Sequence, residues 1–151
     1  MITSRQIELV QTSFRLVEPI LEKGTSIFYD RLFELDPSLR QLFRTSREEQ
    51  ERVLANTLTV VVKSLHRPEL RGAIETLGRR HTGYGVRDEH YTTFGAALLW
   101  TLETGLGEAF TAEIRGAWTA VYGWLAFTMR RAAATRNDLD DTRPMLTMAA
   151  V

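Results

Sequence analysis

The sequence predicts an all-α fold, and three observations predict it. Apolar residues recur at three- and four-residue spacing along most of the chain, capping signatures stand where those stripes begin, and the period-two alternation of strands is nearly absent. Thr3 with Gln6 makes a capping box for a first helix. Pro19 suits the opening of a second, which carries Phe28, Tyr29, Leu32 and Phe33 on one face and runs out near Leu35. Asp36-Pro37-Ser38 then starts a short helical turn ending at Phe43, since Asp caps well and proline fits the first helical position. The polar corner Arg44-Thr45 follows.

Ser46 with Glu49 forms another capping box, opening a helix whose inward residues are Gln50, Leu54, Thr57, Leu58, Val61 and Leu65. His66-Arg67-Pro68 breaks it. Leu70, Ile74, Leu77 and His81 mark the inner stripe of the next helix, which Gly83 and Gly85 stop. A long helix from Arg87 to Gly105 and another from Thr111 to Arg136 complete the set, the last with Ile114, Trp118, Val121, Tyr122, Leu125 and Met129 on one face. From Asn137 the chain turns acidic and loses its periodicity, so residues 1–136 read as one domain and 137–151 as a disordered tail.

A chain of 151 residues fits one domain, which buries roughly 70% of the surface its unfolded form exposes, enough to enclose a large ligand. Its 19 basic residues balance its 19 acidic ones, which argues against nucleic acid or an anionic membrane as partner. Cysteine is absent, which excludes disulfides, iron–sulfur clusters, thiolate-ligated haem and covalent haem attachment through paired cysteines. No run approaches the ~18 apolar residues of a membrane span and no targeting stretch is visible, so a cytoplasmic protein is expected.

Three histidines are available for metal chemistry. His66 stands in a helix break, and His90 in a first helical turn beside Glu89, where solvent exposure is expected. His81 lies on an apolar stripe at a helix end, where it is either a satisfied core histidine or a ligand that offers one ring nitrogen to a metal while the helix backbone holds the other. No H-E-x-x-H motif, glycine-rich phosphate loop or G-x-S-x-G elbow occurs. A single protein ligand points to haem, whose porphyrin supplies four ligands itself.

From Ser4 to Arg131 the chain resembles a globin, most of all the bacterial single-domain globins and the haem domains of flavohaemoglobins, and it is similar to neuroglobin as well. The motifs that carry the resemblance are Gly24-Thr25-Ser26-Ile27-Phe28-Tyr29, Leu32-Phe33-Glu34-Leu35-Asp36-Pro37, Leu42-Phe43, Leu77-Gly78-Arg79-Arg80-His81, Tyr84-Gly85-Val86 and Ala117-Trp118-Thr119-Ala120-Val121-Tyr122-Gly123. The resemblance implies a three-over-three helical sandwich around a buried, non-covalently held haem b. It makes His81 the proximal iron ligand and Phe43 the phenylalanine that wedges against the porphyrin. Tyr29 and Gln50 match the distal tyrosine and glutamine, and Leu54 the apolar residue one turn further on. Phe28 and Val86 join Phe43 and Leu54 in an apolar wall, and Tyr91 and Phe94 complete the pocket.

The resemblance implies tight, reversible O2 binding, with Tyr29 backed by Gln50 hydrogen-bonding to the ligand. It also implies a second use, conversion of nitric oxide to nitrate with an external reductase, since no dinucleotide fingerprint is present. A globin-like interaction protein without haem is the third expectation, and the assembly is expected to be a monomer or weak homo-oligomer. Flavohaemoglobins place a glutamate on the last helix to polarise the proximal histidine through a tyrosine. Here the tyrosine is Tyr91 and the glutamate position holds Ala133, which implies a weaker electron push from His81.

Overall fold

The computed structural model describes residues 1–134, and these fold as α1 (Ser4–Val17), α2 (Leu21–Leu35), α3 (Arg47–Lys63), α4 (Leu70–Gly83), α5 (Asp88–Leu106) and α6 (Ala112–Ala134). Short 3-10 turns occupy Glu18–Ile20, Pro37–Leu42 and Gly107–Ala109. The tail expected at 137–151 lies outside the described residues.

Local chemistry sets most of the boundaries. Thr3 accepts the Gln6 N–H at 3.1 Å while Gln6 Oε1 accepts the Thr3 N–H at 2.8 Å, so the first capping box closes in both directions. Pro19 sits inside a 3-10 turn, and α2 begins two residues later, because proline supplies the helical φ but no N–H for the next turn. Asp36 caps the turn that follows by accepting the Ser38 N–H at 3.1 Å. At Ser46 only half of the expected box forms: its hydroxyl accepts the Glu49 N–H at 3.2 Å, and the Glu49 carboxylate turns instead to Arg52 on the same exposed face.

The layers α1, α3, α4 and α2, α5, α6 pack across one another, with the most extensive helix pair being α4 on α6. That crossing is close because Gly78 lies on it. A Cβ at Gly78 would stand 2.3 Å from the Met129 carbonyl oxygen, so only a residue without a side chain lets the two backbones touch. The shared core runs from Val10 and Phe14 through Phe28, Leu32 and Leu54 to Trp118, Val121 and Met129. Ser13 is drawn into it by its hydroxyl, which accepts the Trp118 Nε1–H at 2.9 Å, and it back-bonds to the Leu9 and Val10 carbonyls. Among the described residues no helix is long and apolar enough to cross a membrane.

Candidate functional site

His81 enters the site from the last turn of α4. Its ring is 1% exposed, and its Nδ1 lies 2.8 Å from the Leu77 carbonyl one turn earlier. A carbonyl only accepts, so this bond places the hydrogen of a neutral ring on Nδ1 and leaves the lone pair on Nε2. The corner after His81 is folded back beneath it. Tyr84 N–H reaches the Arg80 carbonyl, Gly85 N–H the Thr82 carbonyl, and Val86 N–H the His81 carbonyl at 3.1 Å. Gly85 makes the reversal at φ +94°, a conformation that suits glycine, and so delivers Val86 to the same cavity as His81.

That cavity, about 30 Å³, is walled by Leu32, Leu39, Leu42, Phe43, His81, Val86, His90, Tyr91 and Phe94. A second space, also about 30 Å³, shares Phe94 with the first and is lined by Phe28, Leu54, Leu58, Trp118 and Leu125 among others. Phe94 lines both spaces, and Phe28, which meets it at 4.6 Å between ring centroids, lines the second.

Phe43 leaves the Pro37–Leu42 turn in an extended conformation, and its ring meets Tyr29 and Phe33 edge-on, each at 5.5 Å. Tyr29 is 1% exposed, and its hydroxyl lies 3.5 Å from the Gln50 main-chain carbonyl, the outer limit of a hydrogen bond. Burial pushes its phenol far above the ordinary range, with Glu51 adding to the shift and Arg47 opposing it, so the group remains an O–H donor. The Gln50 side chain, 2% exposed, turns to the Thr45 hydroxyl rather than to Tyr29. Arg47 ties the two helices that carry this pair: its guanidinium donates to the Ser26 carbonyl and Asp30 carboxylate on α2, both at 2.7 Å, and to Glu51 on α3 at 3.0 Å.

The residues expected in the pocket divide between two spaces that share Phe94, and Tyr29 and Gln50 line neither. His81, Phe43, Val86, Tyr91 and Phe94 share the first cavity, Phe28 and Leu54 line the second, and Tyr29 adjoins the first through Phe43 while its hydroxyl reaches the Gln50 carbonyl. His90 departs from expectation. It is half-buried on the wall of the His81 cavity, because its Nδ1 accepts the Arg87 N–H at 3.0 Å and so folds the ring back over the start of α5. Leu39, Gly78 and Thr45 were not marked as site-forming by periodicity. Leu39 and Thr45 lie in short connecting segments, and a stripe of large apolar residues gives no weight to a glycine.

The surroundings of Tyr91 bear on the missing glutamate. Its phenol is pushed up to about 12, chiefly by burial and then by Asp88, while Arg130 lowers it. The last helix thus turns a cation toward Tyr91, and the carboxylate that acts on it comes from the first turn of α5. Tyr122 fixes the backbone here by donating its hydroxyl to the Tyr91 carbonyl at 2.6 Å.

The fold and the site define a class of protein: a helical sandwich that buries one imidazole, with its tautomer set by the helix backbone, beside an aromatic cleft. The Globin family model matches residues 26–129, and the chain belongs to the globin family. It is 30% identical over 130 residues to a flavohemoprotein of Vibrio cholerae, covering 83% of this chain and 33% of that one. It is 34% identical over 125 residues to a flavohemoprotein of Bordetella pertussis, covering 78% and 31%. The chain thus spans about a third of the length of these relatives. Among solved structures it is similar to an engineered carbene transferase derived from a candidate nitric oxide dioxygenase of Rhodothermus marinus, with a TM-score of 0.80, 26% identity, and coverage of 89% of this chain and 95% of that one.

Proposed function

We propose that the chain is a haem b protein that binds O2 reversibly and tightly, with His81 as the sole protein ligand to the iron. The observation that carries this reading is the buried His81 ring, which gives Nδ1–H to Leu77, keeps a lone pair on Nε2 and lines an apolar cavity. A lone imidazole suits a porphyrin, which brings four nitrogens of its own. It suits no zinc or copper site, and the described residues contain no cluster of three His, Cys, Asp or Glu able to hold an ion. When bound, haem supplies an open iron position for a diatomic ligand together with one-electron redox chemistry.

The residues of the chain do the rest. Tyr29 contributes a donor that stays protonated at any physiological pH. A hydrogen bond to a ligand carrying partial negative charge contributes about 1.5–3 kcal/mol, which slows ligand release by about 10- to 100-fold. Phe28, Phe43, Leu54, Val86 and Phe94 exclude water around it, which limits oxidation of the iron. The His81 Nδ1–H goes to the neutral Leu77 carbonyl, so the ring acts as an imidazole rather than an imidazolate.

The second reading is nitric oxide dioxygenation, favoured by the identity with flavohemoproteins. Combining NO with O2 to give nitrate consumes one electron, which a reductase outside residues 1–151 would deliver. The deciding experiment is the visible spectrum after haem reconstitution. A Soret band that is lost in His81→Gly supports the haem reading, and no band in the unsubstituted chain overturns it. Rapid NO consumption by the oxygenated protein, sustained by cell extract, separates the enzyme from the O2 carrier.

A further inference from the structure

We propose that Thr45 is a positioning residue that holds the Gln50 amide and leaves its polarity free to match the ligand; the proposal rests on the haem reading of the pocket. Gln50 stands in the first turn of α3, one turn before Leu54, and is 2% exposed. One end of its amide meets the Thr45 hydroxyl, while Oε1 is buried with no hydrogen-bond partner. A buried amide atom in that state is costly, and it is retained where something else comes to pair with it.

The chemistry of the pair explains what that could be. The oxygen and nitrogen of an amide have nearly the same shape, and a threonine hydroxyl both donates and accepts. With Gln50 Nε2–H donating to Thr45 Oγ1, the unpaired amide atom is an acceptor. After a half-turn of the amide, Thr45 O–H donates to Oε1, and the unpaired group is an N–H donor. Thr45 satisfies Gln50 in either state, so a small ligand that accepts hydrogen bonds meets a donor and one that donates meets an acceptor. An apolar residue at position 45 would hold neither state, and a charged one would hold a single state.

The corner is built to keep Thr45 in place. The next residue, Ser46, caps α3 through the Glu49 N–H, and two residues on Arg47 binds α3 to α2 through Ser26 and Asp30. Thr45 itself is exposed, so it bridges the solvent edge of the corner to a buried amide. The Tyr29 hydroxyl, only loosely held at 3.5 Å from the Gln50 carbonyl, supplies an independent donor from α2.

The test uses the haem-loaded full chain, with O2 as the accepting ligand and CO as a spectroscopic probe. Thr45→Val is expected to speed O2 dissociation about 3- to 10-fold and to move the C–O stretching band toward that of Gln50→Leu. Thr45→Ser should restore both to within about twofold, and Thr45→Val should add nothing in a Gln50→Leu background. An unchanged rate in Thr45→Val, equal acceleration without Gln50, or failure of serine to rescue would each overturn the proposal. Loss of the Soret band in the unsubstituted chain would instead overturn the haem reading beneath it.

Discussion

Replacing Gly78 by alanine sets two physical effects against each other, and the structure decides the sign. Gly78 lies inside α4 with ordinary helical geometry, so propensity alone favours alanine by about 0.5–1 kcal/mol. At the α4–α6 crossing, however, the new Cβ would stand 2.3, 2.5 and 2.7 Å from Met129 O, Cα and C. Carbon atoms rest at ~3.5–4.0 Å, so the helices must separate by about 1 Å, and no side chain can rotate away because all three atoms are backbone. Overpacking of this kind costs about 3 kcal/mol, at the top of the usual range, which leaves a net loss of about 2 kcal/mol after the propensity gain. For a chain of this length that corresponds to a fall in Tm of about 4–8 °C. Circular dichroism melts of Gly78→Ala and Gly72→Ala make the comparison, because Gly72 lies on the same helix with nothing within 4 Å of its Cβ position and should gain about 0.4–1 kcal/mol. A Gly78→Ala protein as stable as the unsubstituted chain would refute the close-crossing argument. Its His81, three residues on, would also have no reason to move.

Tyr29→Phe should raise the O2 dissociation rate of the haem-loaded protein about 10- to 100-fold in stopped-flow displacement, and an unchanged rate would remove Tyr29 from the distal mechanism. Ser13→Ala leaves the buried Trp118 N–H without its acceptor and should cost about 1–3 kcal/mol in urea unfolding. High pH should unfold the chain through its buried phenols. Tyr91 is pushed up to about 12, and Tyr29 and Tyr122 are also raised by burial. Below pH ~10 these groups are protonated in both states and stability is flat. Between ~10 and ~12 the unfolded state loses protons that the folded state keeps, so stability falls by up to ~1.4 kcal/mol per pH unit for each tyrosine. Phenolate absorbance rising together with loss of helix in that window is the expected result; phenolate formation in a fully helical protein would contradict it.

Helix positions were readable because each depends on neighbours in the chain. The Thr3–Gln6 box, the Asp36 cap and the Gly85 reversal are contacts across two to five residues, and their residue types announce them. The buried stripe of Leu70, Ile74 and His81 followed from spacing alone. The partner of a helix face was not readable in the same way. His90 looked like a solvent-facing residue because its position on α5 says nothing about the Leu39–Phe43 segment that covers it. Glu49 was expected to close a second box and instead pairs with Arg52, since an exposed carboxylate chooses among nearby cations by small energy differences.

Periodicity and capping, then, account for six helices and for the inward faces of Tyr29, Gln50 and His81, because those properties arise within a turn or two of chain. The way those faces are brought together arises between segments far apart in sequence. Gly78 against Met129 sets how near α4 comes to α6, and Arg47 sets how α3 lies on α2. Each is a short-range force acting across a long-range approach, and such approaches are settled only when the whole core packs.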